Sequence, residues 1–240
     1  MTAIRSLLCA ILFQAWIFCL STLYLPLLLL PRRVMVPFAR LWAGGTLAIL
    51  RVTVGLGWRF VGAENLPKGS YILACKHQSA FETFLFHPLL GDPAFVLKRE
   101  LTWIPFFGWY LAKAGVIAID RSAGTKALKA MVKGAEAAKA QGRPIVVFPE
   151  GTRTPPGMRR PYHSGIAMLY GALGLPVVPV ALNSGVFWGR RAFTKKGGTV
   201  TVEALQPIPP GLSRKAFMAE LENRIETATD RLVAETGGAA

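Results

Sequence analysis

Cysteine is scarce: Cys9, Cys19 and Cys75 are the three in 240 residues, and no C-x-x-C pair occurs. This excludes a disulfide scaffold and a thiolate zinc site, and it suits a reducing compartment. The three histidines, His77, His87 and His163, show no ligand spacing, so no metal is implied. There is no G-x-S-x-G elbow for a serine nucleophile, no internal repeat and no low-complexity tract. Acidic side chains are also few, 13 against 28 Lys and Arg, leaving a net charge of +15. Such a balance favours nucleic acid, an anionic bilayer surface or a phosphorylated substrate as partner. What abounds is apolar surface, 52% of residues, which is high for a soluble protein. Hydropathy and charge together favour a membrane over nucleic acid, and the length suits one globular domain with a small appendage.

No charged residue falls between positions 6 and 30, where 7–30 reads LLCAILFQAWIFCLSTLYLPLLLL. At about 1.5 Å per residue, such a helix spans a hydrocarbon core of roughly 30 Å. It is too long for a signal peptide and lacks a small-residue cleavage site, so it reads as an uncleaved anchor. Arg32 and Arg33 follow at once, and basic flanks prefer the cytoplasmic side. The expectation is a bacterial-type inner-membrane protein whose catalytic part faces the cytoplasm. A weaker apolar stretch, 34–56, is interrupted by Pro37, Arg40, Gly44, Gly45 and Arg51. It either completes a hairpin or lies in the interface. Residues 1–57 are thus expected to anchor and 58–240 to form the catalytic domain.

Beyond Gly57, short β-like runs alternate with helical ones. Expected strands are 58–62, 71–75, 94–97, 116–120, 144–148, 177–181 and 199–204. Leu128, Met131, Val132 and Ala135 share one helical face, and a last helix over 213–235 repeats that spacing with Phe217, Leu221, Ile225, Ala228 and Leu232. Alternation of this kind predicts a layered α/β domain preceded by membrane helices.

The segment ILACKHQSAFE at 72–82 ends a strand and starts a helix, which places His77 at the strand end, where α/β sheets hold ligands. A histidine, with an unperturbed pKa of about 6.5, is suited to take a proton from an alcohol near neutrality. A carboxylate at Glu82 can fix its tautomer. Ser79 to Glu82 equally fits a capping box, in which the glutamate only bonds back to the helix start. FPEGTR at 148–153 marks another strand end, with a glycine for close approach and an arginine able to grip a phosphate. His87, before Pro88, reads as a surface or capping residue.

These two segments occur in order with VGAENLP at 61–67, KRELTWIPFFG at 98–108, GVIAIDR at 115–121 and VPVALNS at 178–184. In this arrangement the chain resembles the lysophosphatidic acid acyltransferases of the glycerolipid acyltransferase superfamily. The resemblance implies that His77 is the general base, that Glu82 orients it, and that Lys98, Arg121, Glu150, Gly151 and Arg153 line the site for a glycerol phosphate. It implies a lysophospholipid acceptor and an acyl thioester donor, carried by coenzyme A or an acyl carrier protein, with no cofactor. The sequence departs from that family at Glu82, where Asp is usual, and at Tyr162-His163, where Tyr-Lys is frequent, with Arg159 and Arg160 as the nearest basic substitutes. Cys75 lies in a strand, so direct transfer between bound substrates is expected rather than an acyl-enzyme. WIPFFGWY at 103–110 is core, acyl channel or bilayer contact by composition alone. Rival readings are a lysolipid acyltransferase with a phosphate-free acceptor, such as lyso-ornithine lipid, and a non-catalytic membrane or nucleic-acid binder, which has no use for a histidine–carboxylate pair.

Overall fold

In the computed structural model, which describes residues 2–237, the apolar runs gather into a single seven-stranded sheet. The strands are β1 (Leu56–Val61), β2 (Ile72–Cys75), β3 (Ala94–Lys98), β4 (Ile117–Ile119), β5 (Ile145–Val147), β6 (Val177–Leu182) and β7 (Gly198–Ala204). Their spatial order is β1-β7-β6-β2-β5-β3-β4, parallel throughout except between β6 and β7. Every expected strand is present. The helices are α1 (Thr2–Leu23), α2 (Arg32–Val54), α3 (Phe81–Leu90), α4 (Phe107–Lys113), α5 (Thr125–Ala140), α6 (Gly165–Leu173), α7 (Ser184–Phe187) and α8 (Arg214–Glu235).

A strand's twofold side-chain period sends alternate residues to opposite faces, and here both faces are apolar because both are covered. Leu73 and Cys75 of β2 join Val146, Val178 and Val200 in a core closed by α1, α2 and α3. Ile72 and Ala74 join Ile145, Val147 and Val177 in a second core closed by α5, α6 and α8. The expected helical faces turn inward: Met131 and Ala135 of α5 are buried, as are Phe217, Leu221, Ile225 and Leu232 of α8. The last helix starts on a capped turn, where Ser213 Oγ accepts from Ala216 N at 3.2 Å.

The two apolar stretches of the amino-terminal region form a helical hairpin, α1 and α2, closed by a short turn at Leu25–Leu29 and pinned where Trp16 Nε1 donates to Trp42 O at 3.0 Å. Continuous through Pro37, α2 buries Ala43, Leu47, Leu50 and Val54 in the sheet's first core. Each of these Leu and Val side chains contributes about 1.5–3 kcal/mol when fully buried, so α2 is integral to the domain rather than tethered to it. Arg32 reaches Asp92 at 2.7 Å from the opposite side. Among the described residues only α1 is long and apolar enough to cross a membrane, and its Ile4, Leu7, Leu8, Ile11 and Phe18 are exposed. The boundary placed at residue 57 falls inside β1, and Cys9 of α1 belongs to the same core as β2.

Candidate active site

Five adjacent parallel strands, β6-β2-β5-β3-β4, end on one edge of the sheet, and each delivers side chains there. Beyond β6 come Ser184, Arg190 and Arg191, beyond β2 comes His77, and beyond β5 come Glu150, Gly151 and Arg153. Lys98 closes β3, and Arg121 follows β4. Residues separated by more than a hundred positions meet because parallel strands present all their carboxyl ends together.

His77 Nδ1 lies 2.8 Å from Glu82 Oε1. The same oxygen accepts from the N–H groups of Gln78 and Ser79, each at 2.8 Å, while Oε2 accepts from Ser184 Oγ at 2.9 Å. The two readings of Glu82 therefore both hold: one carboxylate caps the helix start and also engages the imidazole. The extra methylene relative to Asp is absorbed with hydrogen-bond geometry intact. With Nδ1 engaged as the donor, Nε2 is the nitrogen left to accept a proton. The ring stacks on Phe148, centroids 4.0 Å apart and planes 22° from parallel, which restricts its rotation. Its peptide is clamped on both sides, His77 N donating to Glu150 Oε2 at 3.1 Å and Thr154 N donating to His77 O at 2.7 Å.

Ser184 carries no chemistry of its own in the sequence, yet it holds the second carboxylate oxygen. A hydrogen bond to a charged group is worth about 1.5–3 kcal/mol, so Ser184→Ala is expected to lower kcat by about tenfold while leaving both KM values in place. Steady-state rates checked against an unchanged melting temperature separate this from misfolding.

Beneath the site lies a buried ionic cluster. Lys76 is 1% exposed; its Nζ donates to both Glu226 oxygens at 2.8 Å and lies 2.8 Å from Glu150 Oε1. Tyr162 Oη donates to Glu226 Oε1 at 2.8 Å, and burial followed by the Glu226 charge holds its pKa raised, so it remains a donor. Glu150, expected to meet substrate, instead faces inward at 2% exposure and is absent from the residues lining the cavity. Two backbone-adjacent carboxylates thus position His77: Glu82 through the ring and Glu150 through the peptide.

The cavity measures about 610 Å³ and is two-ended in character. Phe13 and Ile17 of α1, Trp42 of α2 and Phe84 of α3 give an apolar wall, while Lys98, Arg121, Arg153, Arg190 and Arg191 give a cationic rim, with His77 lining the same space. Burial lowers the pKa of both Arg121 and Arg153. Arg121 donates to Gly151 O at 2.8 Å. Gly151 has φ +65°, and a Cβ there would come within 2.9 Å of both His163 and Arg121, so the turn needs glycine. His163, standing where Lys is frequent, lies beside the rim at Gly151 rather than among the cavity-lining residues.

His87 is not the surface group expected: it lines the cavity near Phe95, ring centroids 5.2 Å apart, and burial pushes its pKa down to about 4. It is a neutral, polar spot in an apolar wall. Cys75 is fully buried, and burial together with the Glu82 and Glu150 charges pushes its thiol well up, so it offers no thiolate nucleophile. Among the described residues no group of three or more His, Cys, Asp or Glu could hold a metal ion. Arg190, Arg191 and Ser184 carried no role in the sequence reading; the signals were that all three follow an apolar strand and that Ser184 ends the VPVALNS block.

An imidazole held by a carboxylate, at the strand ends of a covered α/β sheet and open to a greasy chamber with a cationic mouth, defines a group-transfer enzyme for amphiphiles. Known proteins narrow that class. The family model described as Acyltransferase matches residues 57–183. A 1-acyl-sn-glycerol-3-phosphate acyltransferase of Pseudomonas aeruginosa is 35% identical over 235 residues, covering 97% of this chain and 91% of that one. The Saccharomyces cerevisiae protein of the same name is 30% identical over 181 residues, 74% of this chain and 60% of that one. The chain belongs to the acyltransferase family. Its fold matches the crystal structure of the 1-acyl-sn-glycerophosphate (LPA) acyltransferase of Thermotoga maritima, with a TM-score of 0.77 at 23% identity over 98% of both chains.

Proposed function

We propose that this enzyme transfers a fatty acyl group from a thioester to the sn-2 hydroxyl of 1-acyl-glycerol-3-phosphate, forming phosphatidic acid for phospholipid biosynthesis. The observation that carries the reading is one cavity with an apolar wall, His77, and a rim of Lys98, Arg121 and Arg153, which suits an acceptor with a chain at one end and a phosphate at the other. Family membership and the names of the relatives support the same acceptor.

In this reading His77 Nε2 removes the acceptor hydroxyl proton as that oxygen attacks the thioester carbonyl. Glu82 stabilises the imidazolium that forms. The tetrahedral oxyanion then collapses, expelling the thiolate, which takes up the proton. Donors for the oxyanion are narrowed by the turn after His77: the N–H groups of Gln78, Ser79 and Phe81 are already engaged by side chains, leaving Ala80, a cavity-lining residue. The donor carrier is coenzyme A or an acyl carrier protein, and no cofactor takes part. Helix α1 sits in a bacterial-type inner membrane with the catalytic domain on the cytoplasmic face, an orientation that Arg32 and Arg33 support. Membrane lipid then meets the exposed side chains of α1, and nucleic acid is not a partner.

The test is acyl transfer from a labelled thioester to lysophosphatidic acid and, in parallel, to a phosphate-free lysolipid. Losing a charge-assisted phosphate contact costs about 1.5–3 kcal/mol, so Arg153→Ala is expected to raise KM for lysophosphatidic acid by about 10- to 100-fold and to change the phosphate-free acceptor little. Wild-type activity confined to the phosphate-free acceptor would overturn the substrate while keeping the chemistry.

A further inference from the structure

The rim is asymmetric about the histidine. In the order β6-β2-β5-β3-β4, His77 follows β2; Arg153, Lys98 and Arg121 follow the strands on one side, and Arg190 and Arg191 follow β6 on the other. An acceptor with one phosphate needs only one of these groups of cations. The second has no acidic partner: neither Arg190 nor Arg191 forms an ion pair with any described residue. Burial, opposed by the Glu82 carboxylate and aided by the charge of Arg190, lowers the pKa of Arg153, so two like charges share the mouth while the acid nearby is already held by His77, Gln78, Ser79 and Ser184. Arg191 adopts φ +59°, one of two non-glycine residues among those described with positive φ. A residue held in the left-handed region costs about 1 kcal/mol or more and persists where its surroundings demand it.

Those surroundings are firm. The segment after α7 is bound to α1 by Ser6, whose Oγ accepts from Lys195 N at 2.9 Å, and to the end of α7 by Lys196 N donating to Phe187 O at 2.9 Å. Lys195 Nζ also sits 5.0 Å from the Trp188 ring centroid. Arg190 and Arg191 are therefore carried at the cavity mouth by a braced loop, without an anion of the protein's own.

We infer that Arg190 and Arg191 form a second anion subsite, which binds the phosphate of the acyl donor's phosphopantetheine arm while Arg153, Lys98 and Arg121 take the acceptor's phosphate. This rests on the acyl-transfer reading above. It places the two phosphates on either side of His77, so that thioester carbonyl and acceptor hydroxyl meet at the imidazole. Coenzyme A and an acyl carrier protein both present a phosphate on that arm, so the shared chemistry, rather than either carrier, is what the subsite recognises.

The experiment uses the full chain in lipid–detergent micelles with acyl-coenzyme A, acyl carrier protein thioester, and the phosphate-free S-acyl pantetheine. The wild type is expected to favour the phosphate-bearing donors, and Arg190→Ala/Arg191→Ala to raise their KM by about tenfold or more, the scale of losing charge-assisted phosphate contacts. The preference over acyl pantetheine then collapses, while KM for lysophosphatidic acid stays within about twofold. A rise with both carriers puts the contact on the arm's own phosphate and sustains the subsite; a rise with coenzyme A alone puts it on the nucleotide phosphates and overturns the assignment to the shared arm. A rise in lysophosphatidic acid KM with donors unmoved, an equal loss with acyl pantetheine, or an effect that follows only the anionic lipid content of the micelle overturns it. Arg190→Gln, which leaves the strained position untouched, repeats the measurement should the double variant melt early. Because donor KM can be read on any hydroxyl acceptor the enzyme uses, failure of the subsite is distinguishable from failure of the acceptor assignment.

Discussion

Replacing His77 by alanine is expected to lower kcat by about 10²–10⁴-fold, the range spanned by a positioned general base, without unfolding the protein. The ring is a minor part of the local scaffold. Its backbone stays clamped between Glu150 and Thr154 N, and Glu82 keeps its bonds to Gln78, Ser79 and Ser184. Only the stack on Phe148 and the Nδ1 contact vanish. Stopped-time assays on membranes matched for protein amount, with circular dichroism and melting on the purified variant, give the check. Residual activity within a few-fold of wild type would remove His77 from the mechanism.

The second large effect is on stability. Lys76→Met strips the sole cation from a buried cluster that retains Glu150 and Glu226. Leaving buried charges uncompensated costs about 3–5 kcal/mol. At roughly 2–4 °C per kcal/mol for a chain of this size, the melting temperature in detergent should fall by about 6–20 °C. Adding Glu226→Gln neutralises one of the stranded carboxylates and should restore part of the loss. A lone Lys76→Met that melts with the wild type would mean that the cluster is hydrated or already neutral. Because Glu150 also holds the His77 peptide, kcat should fall in step with stability.

Much of this was legible from residue pattern, and the failures have physical reasons. All seven strands stood out because a sheet covered on both faces needs short, nearly continuous apolar runs, such as Ile72–Cys75 and Val177–Leu182. The antiparallel turn of β7 against β6 did not stand out, since strand direction is set by tertiary packing and not by side-chain order. His77 and Glu82 were visible as a pair because they are five residues apart on one turn. Glu82 could not be divided between cap and catalyst because one oxygen serves three donors at once. The family resemblance placed Glu150 on the substrate side together with Gly151 and Arg153, which do line the cavity; the turn's geometry, which sends Glu150 inward to Lys76, cannot be read from the residue order. Ser184, Arg190 and Arg191 were missed because only the placement of β6 beside β2 brings them to His77. The apolar stretch at 34–56 became a helix buried along one face because Leu47, Leu50 and Val54 find the sheet.

The partner of Lys76 lies 150 residues further along the chain, on α8. A ribosome adding about 5–20 residues per second leaves that lysine without Glu226 for roughly 8–30 s after it emerges. During that interval the turn bearing His77 rests on an unfinished ion cluster. The histidine is therefore set in place only when the last helix docks, which makes α8 the step that arms the enzyme.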